Sequence, residues 1–394
     1  MEGLAVNMKK VVIMTARAGY PNGFGASSIL RKYASGFLKN GFNTSILLLR
    51  PSEQREKNNM VNTQSKGLHK DVEFEYLCGT VYTHPNVIVR QWLYLIGVLN
   101  GVKYLFKNRK IIDRLFFYSP DYLVSTLIIQ IVCCLLGIKC IGIKTESSFS
   151  DTQRTKSKFW KVKEKYIYNL FSSMIVISMY LKKQMSVFLK NKNINVLPII
   201  VDEGMYEGVN LFPKDKTLIY VGTLNYREEL HQLLDAFSIA HKQHKDWKLK
   251  IVGRFVSGEL EKEIKGKDQD LNLEIEWTGV IESNEIPGII GKGGIMLLPR
   301  IDDEYSKAGF PIKLGEYLLS GAPTVVTNTG DIGQYLEDNQ NAFVVKPNDT
   351  GAFAQKIIDV IENYEKALIV GENGKEFAIK NFGAEEMCKK MLDL

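Results

Sequence analysis

The sequence predicts an α/β protein of two domains, each built on a largely parallel sheet. Three observations predict it. Lys10–Thr15 and Asn43–Leu49 are apolar, β-branched runs on either side of a helical pattern over Ser27–Asn40. Strand, helix, strand is a βαβ unit, so its two strands should run parallel. From Thr217 the same alternation restarts and continues to Asn363. The charge divides near the same place: residues 1–200 hold 29 Lys and Arg against 11 Asp and Glu, and residues 201–394 hold 22 against 33. A chain of 394 residues that is 45% hydrophobic and carries a net charge of +7 has ample material for full cores, and disorder, collagen and coiled coil are excluded as its main architecture.

In the first half, the Gly/Pro loop Gly19–Gly25 joins the first strand to the first helix, and Gly41 ends that helix. Residues 51–70 are polar and read as a mobile surface loop. Leu115–Tyr118 is a short strand closed by Ser119, Pro120 and Asp121. Residues 122–138 are the most apolar stretch. They include Ser125, Thr126 and Gln130 and fall short of the ~20 residues of a membrane span, so a helix buried against a sheet is expected. Cys140–Lys144 is the next strand. Arg154–Lys165 is densely basic, with Phe159 and Trp160 among the charges, and leads through an amphipathic helix to the strand Met174–Ile177. The mixed stretch 188–216 should contain the domain boundary.

In the second half, strands are expected at Thr217–Val221, Lys248–Val252, Leu273–Trp277, Ile295–Leu298, Thr324–Thr327 and Ala342–Val345. Helices are expected at Glu229–Lys242, Ser283–Ile290, Lys313–Ser320 and Thr350–Asn363. Residues 364–394 read as helix, broken near 381–383. The five cysteines are odd in number and lack metal-ligand spacing, which points to buried thiols in the cytoplasm. Val11–Met14 is too short for the core of an export signal.

Ligands of open α/β sheets bind beyond the carboxyl ends of the strands. Three loops there are distinctive. Gly19–Gly25 lets backbone approach a ligand ahead of a helix N-terminus, although a glycine loop is as often a tight turn, and neither GxGxxG nor a P-loop is present. In the segment 222–229, Arg227 stands where a phosphate would suit a helix N-terminus. Glu228 and Glu229 there would otherwise simply complement the helix dipole. In the segment 309–323, Pro311 opens a helix, and Lys313 and Glu316 share one face of its first turn. Such a lysine can neutralise a diphosphate, and such a glutamate can accept hydrogen bonds from a ribose diol. An isolated pair of this kind is ordinarily a surface salt bridge.

Taken together, these segments resemble the family-4 (group 1) glycosyltransferases. The resemblance is carried by Gly25 to Gly41, by the segment 194–202, by Tyr220–Leu224 with Leu233–Phe237, by Ile251–Gly253, by Thr278–Val280, and by the Pro, Lys, Glu, Tyr, Gly, Pro and Val of residues 311–325. It implies the GT-B fold, two Rossmann-like domains with parallel sheets facing across a cleft. Residues 1–196 would form the acceptor domain and 197–374 the nucleotide-sugar donor domain, with the helix 375–394 packing back on the first. It further implies a metal-independent, retaining hexosyl transfer with no cofactor beyond the UDP- or GDP-linked donor. The acceptor would be a glycan or polyprenyl-linked glycan in bacterial capsule or O-antigen synthesis.

By the same resemblance, Glu316 binds the donor ribose, Lys313 the phosphates, and Val280 and Ile281 the base. Gly25 admits the donor phosphate and acceptor. The chain departs from the family where Ala308 replaces a glutamate, and where Thr223 and Glu228 replace an arginine and a lysine. Arg227, Arg254 and Arg300 are the candidate replacement cations. Glu146 stands near the position of a missing histidine and would reach a sugar hydroxyl. The alternative is a catalytically silent GT-B protein that binds a glycan or a partner enzyme. In the basic half, Lys103, Lys107, Arg109, Lys110 and Arg114 with Trp92, Tyr94, Leu95 and Phe106 suggest a face for an anionic membrane. A nucleic-acid partner rests on charge alone and ranks below it.

Overall fold

Apolar, β-branched runs become strands buried on both faces, as a parallel sheet covered by helices requires. Val11–Met14 and Leu297 are fully buried. In the computed structural model the described residues are 9–23, 25–54, 61–145, 166–207, 209, 211, 214–282 and 285–394. Glu146 and the basic stretch 154–165 lie outside them.

The strands of the first unit are β1 (Lys10–Thr15), β2 (Asn43–Leu48), β3 (Lys66–His69), β4 (Val72–Tyr76), β5 (Ile112–Tyr118), β6 (Lys139–Lys144), β7 (Ser173–Val176) and β8 (Ile194–Val196). Between them lie helices α1 (Gly25–Lys39), α2 (Val87–Asn108), α3 (Leu123–Leu136) and α4 (Met179–Ser186). The sheet order is β3-β4-β2-β1-β5-β6-β7-β8. All described neighbours pair in parallel except β3 with β4. The chain leaves β1 to one side for β2 and later returns to its other side with β5, so the topological switch point falls between β1 and β5.

The second unit adds β9 (Thr217–Val221), α5 (Arg227–Gln243), β10 (Lys248–Val252), α6 (Gly258–Leu271), β11 (Glu276–Gly279), α7 (Ile286–Lys292), β12 (Ile295–Leu298), α8 (Glu304–Ala308), α9 (Ile312–Leu319), β13 (Thr324–Thr327), β14 (Phe343–Val345), α10 (Thr350–Glu362) and α11 (Tyr364–Phe382). Its sheet runs β11-β10-β9-β12-β13-β14, wholly parallel, with the switch point between β9 and β12. The last helix, α12 (Ala384–Leu392), belongs to the first unit.

The chain divides at 200/201 and 383/384 rather than at 196/197 and 374/375. Val201 N–H donates to Phe382 O at 2.8 Å, which ties this segment to the end of α11. Helix α11 itself stays with the second unit because it lies close on the turn after α9. A Cβ on Gly371 would meet Gly321 O at 2.3 Å. Only the residues after Gly383 join the first unit. There a Cβ on Gly36 of α1 would meet Ala384 O at 2.2 Å, and Asn40 Nδ2 donates to Glu385 O at 2.8 Å.

Two sequence expectations change. The polar stretch 51–70 is pinned where it is described: buried Glu53 accepts from Asn62 Nδ2 at 2.7 Å and from Val61 N–H at 3.3 Å, and residues 66–69 form the edge strand β3. Helix α3 is buried on one face only, with Val124, Ile131 and Leu135 exposed.

Candidate active site

The loops that follow β9, β10 and β11 are laced edge to edge by backbone. Gly222 N–H donates to Val252 O at 2.9 Å, Gly253 N–H to Gly279 O at 3.0 Å, and Leu224 N–H to Arg254 O at 2.9 Å. Gly253 has φ +146°, and a Cβ there would lie 1.8 Å from Gly222 O, so only glycine permits this approach. The ladder sets the loops of Thr223, Arg254 and Val280 side by side on the carboxyl edge of the sheet. Thr223, Arg254 and Val280 are exposed, and Ile281 is half-buried.

Across the switch point, Arg300 lies two residues beyond the end of β12. Thr327 Oγ1 donates to Arg300 O at 2.6 Å, and Arg300 Nη2 reaches Ser306 O at 3.4 Å. Its buried Nε has no hydrogen-bond partner. Helix α8 is capped by Asp303, whose carboxylate accepts from Ser306 N–H at 2.6 Å. Pro311 then opens α9, in the position where a missing N–H costs little.

Lys313 Nζ lies 2.8 Å from Glu316 Oε2. This is no ordinary surface pair, because Glu316 is only 4% exposed. Tyrosines hold its helix in place. Tyr206 hydroxyl donates to Glu316 O at 2.7 Å, and Val221 N–H donates to Tyr317 Oη at 2.6 Å, fixing α9 to the end of β9. Burial pushes both phenols above their usual range, so they remain neutral donors and acceptors.

Glu229 departs from the dipole-complementing role read for it. Glu228 is exposed, but Glu229 is buried and accepts from Tyr220 hydroxyl at 2.9 Å. Desolvation raises its carboxyl pKa above the ordinary range, while Arg300 and the Tyr220 bond pull it back. Tyr220, Glu229 and Arg300 therefore form one electrostatic cluster at the switch point. Arg227 turns elsewhere: its Nη1 lies 3.2 Å from Glu263 Oε2 on α6, with the side chain half exposed.

The structure thus brings Lys313 and Glu316 together and aligns the loops of Thr223, Arg254, Val280 and Ile281. Gly25 is exposed at the first turn of α1, in the other unit, where nearby Gly19 packs so tightly that a Cβ would meet Ser52 Oγ at 2.8 Å. Glu146 lies outside the described residues. Sequence reasoning missed Tyr206, Tyr220 and the buried state of Glu229, because nothing in local sequence reports burial. Among the described residues no group of three or more His, Cys, Asp or Glu side chains is placed to hold a metal.

Residues 205–377 match the family described as glycosyl transferases group 1. By that match, this segment is similar to the group 1 glycosyl transferases. The matched segment contains both Lys313 and Glu316. An uncharacterized glycosyltransferase of Methanocaldococcus jannaschii, MJ1178, is 27% identical over 218 residues, covering 55% of this chain and 57% of that one. The putative colanic acid biosynthesis glycosyltransferase WcaL of Escherichia coli is 25% identical over 143 residues, covering 36% and 34%. The chain spans about half the length of the first of these curated relatives and about a third of the second. Solved structures extend the likeness to the whole fold. Anabaena HepE, in complex with UDP and glucose, superposes with a TM-score of 0.64 at 15% identity, covering 98% of both chains. The architecture is GT-B, with two Rossmann-like parallel-sheet units.

Proposed function

We propose that the protein transfers a hexosyl group, with retention at the anomeric carbon, from a UDP- or GDP-sugar to a glycan or polyprenyl-linked glycan in the synthesis of a bacterial envelope polysaccharide. The carrying observation is the buried Glu316 paired with Lys313 in the first turn of α9, inside the matched segment. A buried carboxylate is an acceptor for a pair of vicinal hydroxyls, as on a ribose. A lysine beside it meets phosphate as a point charge. Departure of the nucleoside diphosphate builds negative charge. Lys313, Arg300 and the free N–H groups opening α9 stabilise it electrostatically, without a metal in this reading. Val280 and Ile281 flank the base, Thr223 and Arg254 border the phosphates, and Gly25 and Glu146 serve the acceptor and the transferred sugar. WcaL supports the polysaccharide assignment, and the UDP and glucose bound to HepE support the donor class.

The test starts with a thermal-shift screen of UDP- and GDP-sugars, followed by nucleotide release with chelator present. Lys313→Ala and Glu316→Ala should each lower release by about 100-fold. Full activity in both variants removes this donor site. Loss of turnover on chelation removes the metal-free reading. Donor binding without release would assign the chain to the silent alternative.

A further inference from the structure

Two helices of the first unit carry large apolar side chains on faces turned away from the packing. The buried positions of α2 are Gly97, Val98, Gly101 and Leu105. A Cβ on Gly97 would meet Leu49 O at 2.2 Å, so the helix presses its smallest residues onto the sheet edge. Its outer face carries Ile88, Trp92, Leu95, Leu99 and Phe106, all exposed, with Ile88 at 78% and Trp92 at 63%. At about 100° per residue these five fall within an arc of roughly 60°, one continuous stripe.

Helix α3, which packs beside α2, also carries large apolar side chains on its outer face. It buries Ile129, Val132 and Cys133 together with Ser125, Thr126 and Gln130, while Val124, Ile131 and Leu135 face solvent, Leu135 at 76%. Soluble proteins seldom leave such contiguous apolar surface uncovered.

Charge identifies what covers it. No acidic residue occurs between Glu75 and Asp113, or between Asp121 and Glu146. Lys103, Lys107, Arg109, Lys110 and Lys139 are exposed along the same two helices and their ends. A second copy docked face to face would bring two basic rims together. An anionic bilayer offers both complements at once, acyl chains for the stripe and headgroups for the lysines. We propose that the outer faces of α2 and α3 lie on an anionic lipid bilayer. They lie on it rather than cross it: among the described residues no helix is long and apolar enough to span. The surface differs from the one read from sequence. Tyr94 turns inward, its hydroxyl donating to Ser125 Oγ, and Arg114 is held by Asp113 at 2.6 Å, so both leave the face, and α3 joins it.

The inference goes beyond the transfer reaction and rests on the first unit alone. The full chain is sedimented with vesicles of phosphatidylcholine containing 30% phosphatidylglycerol, and with phosphatidylcholine alone. The protein should bind the anionic vesicles, less so at 0.5 M salt, and Trp92 emission should shift to the blue. Lys103→Gln with Lys107→Gln should weaken binding about 25-fold, at about fivefold per lysine. Trp92→Ser with Leu99→Ser should weaken it at least about tenfold. These exposed substitutions should leave the melting temperature and nucleotide release unchanged, which separates failure of this surface from failure of the donor site. No sedimentation of the native chain, or equal sedimentation of all variants, overturns the proposal. So does a dimer that Trp92→Ser with Leu99→Ser dissolves in the absence of vesicle binding.

Discussion

Helices α5 and α10 of the second unit and helices α2 and α3 of the first cover the same kind of sheet, yet the first pair turns its large apolar side chains inward and the second leaves several of them exposed. Helix α5 buries Leu230, Leu233, Leu234 and Phe237, and α10 buries Phe353, Ile357 and Ile358 against the same core. Their outward positions are mostly polar or small, with Ile239 the exposed aliphatic. Helix α2 buries two glycines with Val98 and Leu105, and shows water Trp92, Phe106 and four aliphatics. Apolar periodicity therefore says that a face is to be covered, but not that this chain covers it. What lies inward is settled by how closely the backbone must approach, and Gly97 against Leu49 O is the deciding contact.

That comparison can be broken most forcefully at Phe237. Its ring is 1% exposed, and Phe237→Ala should cost about 3–5 kcal/mol in chemical denaturation. Leu99→Ala on α2 removes a similarly apolar group that is 60% exposed and should stay within about 0.5 kcal/mol. Equal losses would mean that Leu99 is packed after all. Next comes Gly97→Ala. The new methyl runs into backbone, and a loss of about 1–3 kcal/mol is expected. The opposite sign is expected for Gly266→Ala on α6, where a Cβ would meet nothing within 4 Å. That substitution should stabilise by about 0.5–1 kcal/mol by removing backbone freedom from a helix interior. Denaturation midpoints of the two glycine variants moving in the same direction would contradict the difference in approach.

The same contrast explains what was legible in the sequence. Strands β1, β9, β12 and β13 could be read to the residue, because a strand buried on both faces is a bounded apolar run with nothing to confuse it, and β10 could be read although Lys248 and Lys250 interrupt its apolar residues. Helix α6 was not read, because only Leu260 and Ile264 are buried on it and its other positions are mostly polar. Strands β3 and β4 were hidden behind a polar loop whose order comes from Glu53 and Asn62, a contact with no periodic signature. At the site, Lys313 and Glu316 were visible as a spacing, but the burial that separates them from a surface salt bridge was not. Tyr220 and Glu229 are nine residues apart and meet only because a strand and the following helix fold back on each other. The break near 381–383 was legible, but residues 375–383 were assigned to the first unit, and only the neighbours of each helix reveal the unit to which it belongs.

The smallest effect concerns the charge that each unit buries near the carboxyl ends of its strands. The first unit buries a cation: Lys144 is 5% exposed, 3.0 Å from Tyr168 hydroxyl and 3.8 Å from Asp121. The second buries an anion, Glu229, whose folded-state pKa lies above its ordinary value of 4.5, chiefly through desolvation. The sign follows from linkage. Below the ordinary value Glu229 is neutral in the folded and unfolded states and costs nothing. As pH rises through the ordinary value toward the raised one, the unfolded chain ionises first, and folding must retain a proton or bury a charge. Stability is therefore lost over that interval and the loss persists above it. In Glu229→Gln the group no longer titrates, while the other carboxylates are shared with the native chain. The melting temperature of the native protein relative to Glu229→Gln should accordingly fall between pH 4.5 and pH 8. A difference that stays flat or rises would mean that Arg300 and Tyr220 outweigh the burial of Glu229.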